Sequence, residues 1–430
     1  MYRNKLKSLL FKAEKDYYCC KFKSFQGNLR KTWQLLREVM HNSRNINVVN
    51  NFIADDGSII TNPQEVVDNF NDYFVNIGDF QAASILPPSN YQLYQSDKTF
   101  VNSFIFHPTD AYEIVQIVNT LQDKSSFGID CIPTTIMKHS ILHISQVVSS
   151  FINCSFRTGT VPNQLKVAKV CPIYKGGANN CFSNYRPISV LPCFSKIFEK
   201  AAYNRILSYV NVNNIIINNQ YGFRRDHSAY MAILDMCNYI TESIDEHNFS
   251  AGVFIDLSKA FDTLNQDLLL HKLEGYGIRG IALHWFKDYL YNRKQYVVFN
   301  NYSSSFKDIT CGVPQGSILG PLLFILYIND IVLCSKLLKF ILFADDTNLF
   351  FSSKSIKDLQ NIINTELDKL SNWFRIIKLS INVSKTKFIL FGRRSKFCCN
   401  PNFCLKIDSK IIEQVKSTKF LGIFIDVDLS

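Results

Sequence analysis

The sequence lacks an uninterrupted apolar stretch long enough to span a membrane. Its most apolar run, PLLFILYINDIVLCSKLLKFILF, is broken by Asn329, Asp330, Lys336 and Lys339, and such interruptions argue against a span. A secretory leader is lacking too, since MYRNKLKSLLFKAEKDYY carries charges throughout. No internal repeat and no low-complexity linker is visible, which leaves a globular chain. The 13 cysteines are odd in number and show no framework spacing. That excludes a disulfide scaffold and points to a reducing, intracellular setting, nucleus or cytoplasm. Cys398, Cys399 and Cys404 cluster but have no second pair and no nearby histidine, so a structural zinc site is not expected. Acids are the minority: 36 against 47 Lys and Arg, a net charge of +11. A basic excess of that size suits a polyanion such as nucleic acid, although charge alone fits a basic protein without one.

What is present is a large core. The chain has 430 residues and a hydrophobic fraction of 47%, enough for two or three subdomains. Helical spacing is expected at Trp33, Leu36 and Met40, from Pro63 behind Asn62, after Thr109, over 132–156, at 195–210 and at 227–246. Two further helices are expected at 264–275 and 280–291, and one runs from about Ser317 to Cys334. Ile356, Leu359, Ile363, Leu367, Leu370 and Phe374 mark a strong amphipathic helix. VAKVCPIY, 167–174, reads as a strand, with Pro172 arguing for an edge. AGVFIDL, 251–257, TKFILFG and KFLGIFID also read as strands, and QYVVFNNYSSSFKDITCGV reads as a hairpin. The irregular alternation predicts an α+β fold, an antiparallel sheet with helices packed on one face.

One feature of the core is chemically unusual. In LLKFILFADDTNLFF an apolar run breaks for Asp345 and Asp346 and then resumes. Neighbouring side chains on a strand point to opposite faces, so two acids share one side only where the chain bends. FADDT is expected to be that hairpin tip. Two like charges ~4 Å apart repel by roughly 1 kcal/mol in water and about 4 kcal/mol at an intermediate dielectric. A hard divalent cation offsets this, and Mg²⁺ takes carboxylate oxygens while leaving room for phosphates. Asp256, at the end of AGVFIDL, is a third acid that would face Asp345 if the two strands are neighbours. Three such carboxylates suit two-metal phosphoryl transfer, with Asp346 in support. Two acids in a turn also have an ordinary local reading, since Asp favours turns.

The surrounding motifs extend the pattern. Phe261, five residues after Asp256, is either plain core or a ring that lies under a sugar and excludes a 2′-hydroxyl. CGVPQGSILGP surrounds Gln315, a hydrogen-bonding side chain, with glycines that permit close approach. Lys175 and Arg186 flank a polar loop and suit a triphosphate, Arg186 bidentately. Lys385 precedes a strand and is either surface charge or a proton donor to a leaving pyrophosphate. Arg224 and Arg225, in QYGFRRDHS, mix charge with aromatics as a template contact would.

In this order, NYRPISVL, QYGFR, FIDLSKAFDTLNQDLLLHKL, GVPQGSILGPLLFILYIND, FADDTNLF, LSINVSKTKFILFG and KFLGIFID resemble the reverse transcriptases of non-LTR, LINE-type retrotransposons, jockey-like in character. The resemblance covers about residues 100–425. It implies a right-hand polymerase: a helical, linker-like N-terminal extension over 1–105, fingers and palm over 106–425 with the core at about 170–425, and the start of a thumb at 426–430. It implies RNA-directed DNA polymerisation from an RNA template, a DNA primer and dNTPs with two Mg²⁺ ions, or Mn²⁺ in their place. Asp256, Asp345 and Asp346 would be the catalytic metal ligands. Phe261 would be the steric gate, and Gln315, Lys175, Arg186 and Lys385 would serve the nucleotide. Phe420, Leu421 and Gly422 would be the primer grip. The box reads FADD where many relatives have YADD. Relative to the family, an upstream endonuclease, most of a thumb and a C-terminal cysteine–histidine region are not expected in this chain. A catalytically silent nucleic-acid-binding relic, or an RNA-directed RNA polymerase, are the alternatives, and Phe261 argues against the latter.

Overall fold

The computed structural model describes residues 2–25, 27, 29–39, 51–54, 57–88, 100–392 and 403–429. Met40, Cys398 and Cys399 lie outside the described residues. The chain divides into two compact units, the first ending at Asn51 and the second beginning at Phe52. In the first, α1 (Tyr2–Ser24) precedes α2 (Leu29–Val39). Leu35 of α2 is buried, whereas Trp33, expected on the apolar face, is 58% exposed.

The second unit opens with a short hairpin, β1 (Phe52–Ile53) and β2 (Ile59–Ile60), followed by α3 (Pro63–Ser84). Asn62 Oδ1 accepts the Gln64 N–H at 3.0 Å, so the cap read from the sequence is made. Residues 52–84, grouped with the extension on sequence, are part of this unit. Next come α4 (Ala111–Thr120), capped by Asp110, and α5 (Thr134–Thr158), one continuous helix that stops at left-handed Gly159.

The chain then builds β3 (Val167–Tyr174), β4 (Tyr185–Val190), α6 (Cys193–Val212), α7 (Ala229–Asp245) and β5 (Phe249–Ile255). One-turn α8 (Ala260–Thr263), α9 (Gln266–Gly275) and α10 (Gly280–Leu290) follow. The expected hairpin is β6 (Arg293–Phe299), β7 (Tyr302–Ser303) and β8 (Lys307–Ile309). α11 (Gly320–Tyr327) is shorter than its apolar pattern suggested. The chain leaves the helix because Asn329 bonds the backbone of Ile215 and Ile217, and Asp330 pairs with Lys272 at 2.6 Å. Then come β9 (Lys339–Phe343), β10 (Asp346–Ser353), α12 (Ile356–Ile376) and β11 (Lys387–Phe391). Short strands end the unit: β12 (Lys406–Ile407), β13 (Lys410–Ile411), β14 (Glu413–Gln414), β15 (Ser417–Phe420) and β16 (Ile423–Asp426).

Two larger sheets result. The first has the order β14-β11-β5-β10-β9, antiparallel except where β14 joins β11. Helices cover both of its faces, not one. Phe254, Ile341, Phe350, Ile389 and Phe391 pack with Ala232, Met236 and Ile240 of α7. Ala251, Val253, Leu349, Phe388 and Leu390 join a larger core with Leu359, Ile363 and Leu367 of α12. β9 and β11, both KFILF, are apolar after their first residue, and β5, FSAGVFI, is polar only at Ser250, as strands buried on both sides require. Gly252 serves this packing, because a Cβ there would stand 2.7 Å from the Phe350 ring.

The second sheet has the order β4-β3-β6-β7, with β8 on β6. Here β3 is an interior strand, contrary to the edge position that Pro172 suggested. The parallel pairing with β6 stops at Val170, so at Pro172 that side is already free. On the other side Pro172 faces Pro187. Neither has an N–H, and a non-hydrogen-bonded pair tolerates both.

Candidate active site

The end of β5 and the β9–β10 turn meet in register. Thr347 lies opposite Ile255, so one step further Asp346 comes opposite Asp256. The sequence reading placed Asp345 there, but Asp345 belongs to the turn, since Asp346 already pairs with Phe343 across a two-residue connection. Ala344 takes the left-handed conformation that such a turn needs, φ 54°. Its N–H is held by buried Gln220, whose Oε1 accepts it at 3.0 Å and also accepts the Gly222 N–H at 2.8 Å. The 219–222 segment runs beside β9, with Tyr221 N–H bonded to Leu342 O and Leu342 N–H to Asn219 O. Gly222 is required there, as a Cβ would meet the Ala344 nitrogen at 2.4 Å.

Asp256 is strapped from its other side. Its N–H donates to Thr386 Oγ1 at 3.3 Å, and its carbonyl accepts the Asn382 N–H at 2.8 Å. The LSINVSKTK motif thus works largely through its backbone, and it carries Lys385 to the same place.

All three aspartates line one cavity of about 940 Å³, together with Lys175, Arg186, Phe261, Gln315 and Lys385. Residues far apart in sequence are therefore brought together as expected. Burial pushes the Asp345 carboxyl up and Asp256 adds to it, against its own backbone N–H, Arg186 and Lys175. Asp346 is pushed up to about 6 by burial and then by Asp345 and Asp256. These are carboxylates with too little positive charge among them, a donor set that fits a hard cation. Among the described residues no three His, Cys, Asp or Glu side chains stand in metal-holding geometry.

The facing wall is cationic. Lys175 is pulled down by burial and by Lys385 and Arg186, against Asp256 and Asp345. Lys259 was not anticipated. It sits at a left-handed position, φ 51°, donates to Tyr185 O at 3.2 Å, and is pulled down by burial and by Lys175, Arg186 and Lys385, against Asp262. The Phe261 ring stacks on Phe324 at 4.5 Å and also lines the cavity, so the two sequence readings of it are compatible. Gln315 Nε2 donates to Asp262 Oδ2 at 2.7 Å. Asp262 was also missed, although it lies in the quoted AFD run next to Phe261.

Other anticipated residues lie elsewhere. Arg224 donates to the carbonyls of Ile217 and Gln220 at 2.9 and 3.1 Å and so braces its own loop. Arg225 is exposed beside Asp226. Phe420 is buried against Phe254, ring centroids 5.8 Å apart. Leu421 and Gly422 form the left-handed turn between β15 and β16. None of these five lines the cavity.

A cavity lined by these carboxylates and cations has the donor set to accept a phosphate ligand together with a hard cation. The sequence pattern of the reverse transcriptase (RNA-dependent DNA polymerase) family matches residues 173–425, more than half of the chain. The chain belongs to that family, and its likeness is to jockey-like elements of the non-LTR class. It is 28% identical over 351 residues to a probable RNA-directed DNA polymerase from transposon BS of Drosophila melanogaster, covering 75% of this chain and 36% of that protein. It is 28% identical over 326 residues to the RNA-directed DNA polymerase from mobile element jockey of the same species, covering 74% and 35%. A probable RNA-directed DNA polymerase from the X-element transposon is 27% identical over 332 residues, covering 74% and 35%. The chain spans about a third of the length of these relatives. Among the described residues no helix is long and apolar enough to cross a membrane.

Proposed function

We propose that this cavity is the nucleotidyl-transfer site of an RNA-directed DNA polymerase, extending a DNA primer on an RNA template with dNTPs. The observation that carries the reading is the division of charge within one cavity. Mutually repelling carboxylates, Asp256, Asp345 and Asp346, face mutually repelling cations, Lys175, Arg186 and Lys385. A metal-bound triphosphate relieves both repulsions at once.

Asp256, Asp345 and Asp346 supply the oxygens that would hold two Mg²⁺ ions, or Mn²⁺ in their place. Bound there, the ions would lower the pKa of the primer hydroxyl and offset charge on the departing pyrophosphate. Lys175 and Arg186 take up the triphosphate, with Lys259 behind them. Lys385 stands at the cavity to protonate the pyrophosphate. Phe261, backed by Phe324, lies under the sugar and excludes a 2′-hydroxyl, while Gln315 hydrogen-bonds the nucleotide.

In this reading the first sheet is the palm and the sheet of β3, β4 and β6–β8 belongs to the fingers. Residues 106–425 supply these parts, and 426–430 the approach to a thumb. Arg225 meets template phosphates, held out by a loop that Arg224 braces. The Leu421–Gly422 turn, with buried Phe420 as its root, guides the primer.

The test is extension of oligo(dT) on poly(rA) by the 430-residue chain with dTTP, with and without EDTA. Metal-dependent extension is expected, with UTP a poor substitute. Salt-sensitive binding of the hybrid without extension would overturn the polymerase reading in favour of a binding protein.

A further inference from the structure

The solvent side of α5 carries an apolar stripe. Ile136 is 58% exposed, Leu142 71%, Val147 56% and Phe151 63%. The opposite side packs into the core through Met137, Ile141, Val148 and Ile152. The helix is therefore anchored, and the stripe is surplus to its folding. Large apolar side chains gathered on one exposed face mark a contact surface.

Two histidines stand in that stripe. His139 and His143 are four residues apart and both are exposed. Side chains at this spacing lie one turn apart on one face, about 5–6 Å between Cβ atoms, so two imidazoles can converge on one ion. Among the described residues neither ring has a hydrogen-bond or ion-pair partner. Zn²⁺ takes imidazole nitrogens and fills four tetrahedral positions. A single copy of α5 offers two of these, and among the described residues no three His, Cys, Asp or Glu side chains stand in metal-holding geometry.

The order of residues along the helix points to the source of the other two. Ile136, His139, His143 and Val147 follow one another at steps of three, four and four, a pattern that reads nearly the same in both directions. A second α5 laid antiparallel across a two-fold axis at the histidines brings its own pair to the same ion. It also sets Ile136 of each copy against Val147 of the other. Charge permits this pairing. α5 contains no acid, and of its two cations Lys138 is tied to Asp123 at 2.8 Å while Arg157 lies at the far end. Between Ile136 and Phe151 the stripe thus holds no fixed charge to repel a copy of a chain whose net charge is +11, and none to draw a polyanion.

We propose that His139 and His143 are half of a Zn²⁺ site, and that two copies of this chain complete it by pairing their α5 helices. The stripe from Ile136 to Phe151 is about 22 Å long, too short to bury by itself the roughly 1,200 Å² of a stable interface. The ion therefore holds the dimer, and without it the chain is monomeric. No residue of α5 lines the cavity of the three aspartates, so this site is independent of the polymerase reading.

The test is sedimentation velocity of the 430-residue chain at pH 7.5, in EDTA and in Zn²⁺, beside the double variant His139→Gln/His143→Gln. The wild type is expected at 49.5 kDa in EDTA and at twice that mass in Zn²⁺, with about one ion for every two chains. The double variant keeps the monomer mass in both. Because the 13 cysteines also take zinc, uptake is read as the difference between wild type and double variant. With Co²⁺ in place of Zn²⁺, that difference spectrum shows tetrahedral nitrogen ligation and no thiolate charge-transfer band. Val147→Lys/Phe151→Lys keeps both histidines and weakens the zinc dimer by about tenfold or more, since like charges then meet across the axis.

A wild type that stays monomeric in Zn²⁺ overturns the inference and leaves the stripe to a partner of another kind. Association of the double variant to the wild-type extent overturns it too. So does a dimer that persists in EDTA, or one that Val147→Lys/Phe151→Lys leaves unchanged. All four substituted positions are exposed, and circular dichroism confirms that the variants keep the fold. None of these outcomes bears on extension of oligo(dT) by the chain, which is measured separately.

Discussion

The side-chain oxygen of Gln220 accepts the main-chain N–H of Ala344 at 3.0 Å, so a buried carboxamide holds the turn that carries Asp345 and Asp346. The same oxygen accepts the Gly222 N–H, and the amide nitrogen of Gln220 has no partner. An unsatisfied buried donor is kept here where it fixes functional geometry. Gln220→Leu orphans two backbone donors. It should cost about 1–3 kcal/mol of stability and, by displacing the carboxylates, lower kcat by about tenfold to a hundredfold. Urea unfolding and single-turnover incorporation measure the two effects separately.

Asp346 illustrates the cost of gathering acids. Its carboxyl is raised from 3.8 to about 6 in the folded chain. A raised carboxyl binds its proton more tightly folded than unfolded, so stability from this group falls as pH climbs from about 4 to about 6 and stays low above. Asp346→Asn should therefore raise the thermal midpoint at pH 7.5 in EDTA, with the difference shrinking to nothing near pH 4. The same variant should lose extension activity. Differential scanning fluorimetry across this pH range checks the sign.

Phe261 rests one face on Phe324 and lines the cavity. Phe261→Val removes the part of the ring that would collide with a 2′-hydroxyl and leaves a small apolar side chain. The preference for dTTP over UTP should drop by about a hundredfold, the range in which an apolar pocket discriminates a hydroxyl. Extension by dTTP itself should persist. Competition between the two nucleotides on one primer measures the ratio.

The fold was legible where residue spacing alone decides it. The α12 stripe buries Leu359, Ile363, Leu367, Leu370 and Phe374 as its period requires. The carboxylates stood out because they interrupt apolar strands, and Lys175, Arg186, Phe261, Gln315 and Lys385, which line the same cavity, stood out through their motifs. What stayed hidden depends on approach in space. Gln220 reads as one more polar residue until its segment lies against β9. Lys259 and Asp262 carry no signal of their own in the sequence; their contacts, with Tyr185 O of β4 and the Gln315 amide, exist only in the fold. Pro172 misled because a strand can be interior at one end and free at the other. Arg224 has a local role that its motif does not reveal, since its Nη1 bonds two carbonyls of its own loop.

The most direct measurement is the single-turnover rate of dTTP incorporation on poly(rA)/oligo(dT) by Asp345→Asn beside the wild-type chain, with circular dichroism confirming an unchanged fold. The account predicts metal-dependent incorporation by the wild type and its loss, by a factor of about a thousand or more, in the variant. Incorporation by Asp345→Asn at the wild-type rate would contradict it.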